Sequence, residues 1–321
     1  MSNPYKTAWL PGPSKTQFYT RTYLPPSSSP PKALLIYIHG FSDHIGRYTH
    51  LHTSISARGV VVFTYDQRGF GKTALDLENN GGKKGTYAKT SWREQFEDME
   101  WAVGVARKEY PGLKTFLMGQ SMGGGLVLGF PTRTTPPPSP STISLLSGVI
   151  ATSPLLLQTT PASKVLRWVG GKASSFAPYM TIPAEVDATE LSHDPEIVKE
   201  AQTDPLIKYI GSLRGLSDML GGGEALLAKD YQNWPKSLPI LILHGTEDKV
   251  TSHVASEKFV EKLVVDDKKL SLYTGAYHEL SHEPDGVKEK MIDEVASWIL
   301  ARSGPTSEGT SAAPEAVASK L

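Results

Sequence analysis

The stretch Thr115-Phe116-Leu117-Met118-Gly119-Gln120-Ser121-Met122-Gly123-Gly124-Gly125-Leu126-Val127-Leu128 joins a strand-like run, a G-x-S-x-G pentapeptide and a run suited to a packed helix. Strand, sharp turn and helix in that order make a nucleophile elbow: the turn holds Ser121 out at the strand tip, and flanking glycines avoid steric clash there. In a chain with 29 glycines such a pentapeptide also recurs by chance, and its bland reading is a glycine-rich turn without chemistry. Its place between strand and helix favours the nucleophile.

Apolar runs of the same kind extend outward on both sides. Residues 33–38 end at His39-Gly40, and residues 60–65 end at Asp66; between them lies a stretch of helix length closed by Gly59. Further runs fall at 114–118, 148–152, 238–243 and 269–273, and such continuous apolar segments suit strands buried on both faces. Ser91-Trp92-Arg93-Glu94 has the capping-box pattern, and Trp92, Phe96, Met99 and Val103 follow at helical spacing until Pro111-Gly112. Val287, Met291, Val295 and Ile299 mark a last amphipathic helix. Strands alternating with helices predict an α/β fold, a mostly parallel central sheet covered by helices on both faces, with ligands at the carboxyl ends of the strands.

Residues 155–232 lose that alternation and are dominated by helical fragments, which reads as an inserted helical cap. The expected organisation is an N-terminal part of the core over 1–154, the cap over 155–232, a C-terminal part of the core over 233–302, and a disordered tail over 303–321. Without cap and tail, the remainder has the size of a single domain. The proline-rich residues 131–142 predict a surface loop.

A serine nucleophile needs a base to take its proton and a carboxylate to orient that base. Strand 238–243 leads into His244-Gly245-Thr246-Glu247-Asp248, and strand 269–273 is followed by Gly275-Ala276-Tyr277-His278. Asp248 and His278 are therefore the expected partners of Ser121, with Glu247 and His282 as local competitors. Backbone N–H groups of Phe41 and Met122 are expected to form an oxyanion hole. His39 is read as a hydrogen-bonding lock on its turn.

The composition removes other classes. Lys+Arg 33 against Asp+Glu 33 leaves no cationic surplus for coating nucleic acid, and 39% hydrophobic residues supply a sizeable core. Zero cysteines exclude disulfides, thiolate nucleophiles and thiolate-held metal centres. No run approaches the ~18 apolar residues of a membrane span. Pro11 and Pro13 interrupt any signal-peptide-like N-terminus, so a soluble intracellular protein is the expectation.

Three motifs are read as decoys or left open. His278-Glu279-Leu280-Ser281-His282 spells H-E-x-x-H, but Gly275 and Pro284 leave little room for the zinc-binding helix, so no metal or cofactor is expected. Gly71-Lys72-Thr73 lacks the phosphate-loop glycine, Asp66 standing in its place; that turn should instead use Asp66 and Arg68 to hold neighbouring loops. Val165, Leu166, Trp168 and Val169, beside Lys164, Arg167 and Lys172, read equally as a lid touching a lipid surface and as a helix packed over the core.

Taken together, several blocks resemble the monoglyceride lipases of the α/β-hydrolase superfamily, fungal members more than animal ones. The blocks are His39-Gly40-Phe41 with Gly46-Arg47-Tyr48, Asp66-Gln67-Arg68-Gly69 with Gly71, and Gly119 to Gly125 around Ser121. Asp204-Pro205-Leu206, His244-Gly245-Thr246 with Asp248, and Gly275-Ala276-Tyr277-His278-Glu279 complete the set, spanning about residues 20–302. The resemblance implies a Ser121–Asp248–His278 triad, oxyanion donors Phe41 and Met122, a cap shaping an acyl tunnel, and cleavage of monoacylglycerol to fatty acid and glycerol. Asp43, Arg47 and Trp168 are candidate substrate contacts. Where animal members read Gly-Glu, this chain has Ser42-Asp43; their pocket cysteines are absent here, so thiol reagents should not inhibit. Alternative readings are a lysophospholipase, a general carboxylesterase, a serine aminopeptidase-like hydrolase, or a catalytically silent binding protein on the same fold. Ser319-Lys320-Leu321 matches the peroxisomal import tripeptide, which would make the import receptor a partner; cytoplasm, lipid droplet or endoplasmic reticulum surface are the alternatives.

Overall fold

The computed structural model describes residues 3–27, 30–160 and 172–304. The strands are β1 (Lys6–Pro11), β2 (Gln17–Tyr23), β3 (Ala33–Ile38), β4 (Val60–Tyr65), β5 (Lys114–Gln120), β6 (Leu146–Thr152), β7 (Thr181–Pro183), β8 (Ile210–Ser212), β9 (Ile240–Gly245) and β10 (Lys268–Tyr273). Eight of them form one sheet in the order β1-β2-β4-β3-β5-β6-β9-β10. From β4 to β10 every pairing is parallel, as continuous apolar strands require when helices cover both faces.

Side chains of β3 show how the two faces are built. Leu34, Ile36 and Ile38 join one core, packed by helices Trp92–Glu109 and Met122–Gly129; Ala33, Leu35 and Tyr37 join the other, packed by helices Thr49–Ala57 and Val287–Ala301. Helix Trp92–Glu109 starts where the capping box predicts: the Ser91 Oγ accepts the Glu94 N–H at 3.3 Å and donates to the Glu94 carboxylate at 2.8 Å. Gly59 closes the Thr49–Ala57 connection with φ 100°, a conformation glycine adopts without penalty.

From β3 the chain moves one way to β4 and then returns across β3 to β5. That reversal creates the crevice at the carboxyl end of the sheet where α/β folds bind ligands. In the register of β3 and β5, Ile38 lies opposite Gly119, so Phe41 and Ser121 follow from adjacent strand ends.

Three features depart from the sequence reading. The antiparallel strands β1 and β2 were not expected; β2 pairs with β4 and adds two strands at that edge. Residues 155–232 contain a small antiparallel pair, β7–β8, beside helices Pro195–Thr203 and Leu213–Ala228. Strand β9 runs through Gly245, so His244 and Gly245 belong to the strand rather than to the loop after it. Of residues 131–142, Pro131 and Thr132 lie buried in a 3-10 turn and Pro137 and Pro138 are buried as well, while 133–136 are exposed and the stretch ends in the short helix Pro140–Ile143, so the expected surface loop is exposed only in part. The Val165–Val169 cluster with Trp168, and the tail from residue 305 with its terminal tripeptide, lie outside the described residues. Among the described residues no helix is long and apolar enough to cross a membrane.

Candidate active site

Ser121 follows β5 directly and precedes helix Met122–Gly129, with φ 56° and ψ −116°. For a residue with a Cβ such a conformation costs about 1–3 kcal/mol and persists only where the surroundings fix it. They do so here: Ser121 N–H donates to the Thr152 carbonyl at 3.0 Å, and its own carbonyl accepts Gly125 and Leu155 N–H at 2.9 Å each. The pentapeptide glycines have a steric reason, because a Cβ on Gly123 would collide with the Ile38 carbonyl and one on Gly119 with the Gly123 backbone. The same strain recurs around the site. Ser42 and Tyr209, with φ 56° and 41°, line one pocket together with Ser121 and His278.

Asp248 receives the His278 Nδ1 at 2.8 Å on its Oδ2, while its Oδ1 accepts Val250 and Thr251 N–H at 2.8 Å each. A proton on Nδ1 leaves Nε2 of His278 as the basic nitrogen. His278 is further fixed through its carbonyl, which accepts the Gln120 side-chain amide at 3.0 Å; the Thr152 hydroxyl in turn bonds the Gln120 amide oxygen. Burial alone would lower the pKa of His278, but the charge and hydrogen bond of Asp248 outweigh it and raise it above 6.5. Burial would likewise raise the Asp248 carboxyl; the charge of His278 and hydrogen bonds from His244 and His278 instead bring it well below 3.8. Glu247 is exposed, so Asp248 is the carboxylate the loop turns inward.

His244 had no role in the sequence reading beyond its motif. Its Nε2 faces the Asp248 carboxylate and the Thr251 carbonyl, both at 3.1 Å and both acceptors, so Nε2 carries the proton and Nδ1 meets the Ser256 hydroxyl at 2.8 Å. The only sequence signal for it was its place four residues before Asp248.

On the β3 side, His39 locks its turn as expected: Nδ1 meets the Gly40 carbonyl at 2.8 Å and Nε2 accepts the Gln67 N–H at 2.8 Å. The Phe41 ring rests edge-on against Phe70 with centroids 5.7 Å apart. Asp66 accepts the N–H groups of Ile45 and Lys72 at 2.8 and 2.7 Å, and Arg68 binds Asp98 at 2.5 Å and Thr16 at 3.0 Å, which is the loop-holding part expected of both. Met122 opens its helix immediately after Ser121.

The second half of H-E-x-x-H belongs to a buried ionic cluster. Glu279 takes a bidentate pair from Arg47 at 2.8 and 2.7 Å, and His282 bonds the Arg47 carbonyl at 3.1 Å with its Nε2. Residues Leu280–His282 form a single 3-10 turn, so the two histidines do not share a helix face. Among the described residues no group of three His, Cys, Asp or Glu is arranged to hold a metal ion.

Asp43 and Arg47 do line the pocket, but their polar ends are largely engaged by protein. Asp43 accepts the His44 N–H at 2.7 Å and the Tyr48 hydroxyl at 2.5 Å, and it faces Arg47 at 3.4 Å. Burial opposes the Asp43 charge, yet Arg47 and the neighbouring groups hold its carboxyl below the ordinary range. Trp168 lies outside the described residues. The sequence reading did not single out Tyr209 and quoted Glu279 only within its motifs, without a place in the pocket; no local spacing links Glu279 to Arg47, 232 residues away.

An eight-stranded, mostly parallel sheet, an elbow serine and a buried Asp–His pair on the same crevice define a serine hydrolase of the α/β-hydrolase fold. The Hydrolase_4 family model, described as serine aminopeptidase, S33, matches residues 29–285, and the chain belongs to that family. It is 33% identical over 278 residues to a Schizosaccharomyces pombe protein provisionally named monoglyceride lipase, covering 86% of this chain and 69% of that one. A monoacylglycerol lipase of Mycolicibacterium smegmatis is 30% identical over 272 residues, 84% of this chain and 89% of that one. A soluble variant of the Saccharomyces cerevisiae monoglyceride lipase, solved with a substrate analogue, superposes with a TM-score of 0.81 at 24% identity over 94% of this chain and 95% of that one, a likeness of fold. The protein is thus a serine hydrolase of the acylglycerol lipase-like group, with lipase or esterase activity.

Proposed function

We propose that the protein hydrolyses monoacylglycerols to fatty acid and glycerol through an acyl-enzyme on Ser121. The observation that carries this reading is the mixed apolar and polar lining of the pocket that holds Ser121 and His278. Phe41, Val186, Leu191, Ile207 and Val250 contribute apolar side chains and Tyr209 a polar one to its lining, beside the paired Asp43, Arg47 and Glu279, a mixed lining in keeping with an ester that has an apolar and a polar part. Relatives named monoacylglycerol and monoglyceride lipases support the same substrate.

In this reading His278 Nε2 removes the Ser121 proton as the hydroxyl oxygen attacks the ester carbonyl. Asp248 holds the imidazole in the required tautomer and stabilises the imidazolium. The backbone N–H groups of Phe41 and Met122 receive the tetrahedral oxyanion. Collapse expels glycerol, which takes the proton from His278; water, deprotonated by the same imidazole, then releases the fatty acid. Residues 155–232 act as the cap, contributing Val186, Leu191, Ile207 and Tyr209 to the pocket. Tyr209 stays protonated throughout, because burial pushes its hydroxyl up to about 12.

Peptide hydrolysis, which the family description names, needs a carboxylate free to receive an α-amino group. Both pocket carboxylates are already paired, Asp43 with Tyr48 and Arg47, and Glu279 with Arg47. The deciding experiment is turnover by purified protein of mono-, di- and triacylglycerols, lysophospholipid and an aminoacyl peptide. Monoacylglycerol is expected to give the highest kcat/KM, and a preference for the peptide or the lysophospholipid would overturn the proposal.

A further inference from the structure

The loop that carries Phe41 is tied to the polypeptide above the pocket through the side chain that follows it, Ser42. Only 1% exposed and with its backbone in the left-handed region, Ser42 accepts the Tyr209 N–H on its hydroxyl at 2.9 Å and meets the Tyr87 hydroxyl at 2.9 Å. Tyr87 in turn reaches the Leu206 carbonyl at 3.1 Å. Proton counting fixes the direction of this chain. The Leu206 carbonyl can only accept, so Tyr87 donates to it; Tyr87 has no second proton, so Ser42 donates to Tyr87; the Ser42 oxygen is then free to accept from Tyr209. The bonds therefore run from Tyr209 through Ser42 and Tyr87 back to Leu206, starting and ending on the same cap segment. A hydrogen bond from His44 Nε2 to Asp204 Oδ2 at 2.9 Å fastens the start of that segment two residues further along the loop. On its other side the loop is held by the core, through His39, the Phe41–Phe70 contact and the Asp43–Tyr48 bond.

We propose that Ser42 is a positioning residue that couples the cap segment 204–209 to the oxyanion loop, so that the Phe41 N–H is set for the tetrahedral intermediate only while that segment is seated. A serine is a costly choice for a left-handed position that glycine fills without strain. Its hydroxyl supplies what glycine cannot, a bond to the backbone of Tyr209, which is itself left-handed and lines the pocket. The proposal rests on Ser121 as nucleophile and Phe41 as oxyanion donor, and it does not depend on the headgroup of the substrate.

Ser42→Gly separates this role from a structural one, because glycine accepts the backbone angles and removes only the hydroxyl. The rate at which a fluorophosphonate labels Ser121 is the readout, since phosphonylation needs oxyanion stabilisation but no glycerol. Ser42→Gly is expected to slow labelling roughly tenfold, as small misplacements of a catalytic donor do. Its melting temperature should stay close to that of the parent, the relief of backbone strain offsetting the lost hydrogen bonds, and kcat on monoacylglycerol should fall with little change in KM. Tyr87→Phe removes the Leu206 and Lys208 contacts of the same segment and should slow labelling as well. Labelling of Ser42→Gly at the parent rate would overturn the coupling. Failure of the parent itself to label would instead overturn Ser121 as nucleophile, and labelling without monoacylglycerol turnover would overturn only the substrate.

Discussion

Ser121 combines a strained backbone with a hydroxyl that opens onto the pocket shared with His278. Ser121→Ala is expected to abolish ester hydrolysis and phosphonate labelling while leaving circular dichroism and the melting curve close to those of the parent; measurable turnover in that variant would end the assignment. The pH dependence follows from His278. With His278 as the proposed base, turnover needs its neutral form, and its folded pKa is raised above 6.5, so kcat/KM should fall as pH drops through a value above 6.5. Stability runs the other way for this group: a raised pKa contributes fully below 6.5 and the contribution is lost as pH rises through the folded value. Asp248, held below 3.8, contributes above that value and loses its contribution as pH falls toward its depressed folded value. An acid limb centred below 6.5 in a pH–rate profile would contradict the Asp248–His278 account.

At the scale of elements, the elbow works because helix Met122–Gly129 packs against the end of β3 with no side chain between them. Gly123→Ala puts a methyl group against the Ile38 carbonyl and should cost about 1–3 kcal/mol in urea unfolding, with loss of activity as the elbow shifts. Unchanged stability would show that the helix start can move. This element was legible in the sequence because strand, turn and helix are contiguous and each has a local signature. The same is true of helix Trp92–Glu109, whose capping box and helical spacing lie within one segment. The β1–β2 hairpin was not legible, since β2 (Gln17–Tyr23) lacks a continuous aliphatic run and gains its place by pairing with β4, about forty residues on. The β7–β8 pair is shorter still, three residues a strand, and its partners are separated by a helix.

For the molecule as a whole, the Arg47–Glu279 pair ties the loop after β3 to the loop after β10, with both side chains 6% exposed. Arg47→Met should destabilise by about 3–5 kcal/mol, because it leaves the Glu279 carboxylate buried without its cation, whereas Arg47→Met with Glu279→Leu should recover most of that loss. Chemical unfolding of the two variants checks this; equal stabilities would mean that the pair carries no coupling. The absence of cysteine gives a further expectation at this scale: N-ethylmaleimide should leave turnover unchanged, and inhibition would point to a nucleophile other than a thiol being modified.

The sequence by itself determined the α/β class, the elbow around Ser121, and the two strand-end loops that carry Asp248 and His278. These follow from contiguous patterns, in which burial on both faces and tight turns dictate residue type locally. Only the tertiary structure decided which groups meet across the crevice. It turned Asp248 inward and Glu247 outward, committed the H-E-x-x-H segment to Arg47 and Asp248, added His244 behind the carboxylate, and joined Ser42 to Tyr209. Those contacts depend on the order of strands and on loops far apart in the chain, and hydrogen-bond partners at such separations leave no periodic trace in the residues between them.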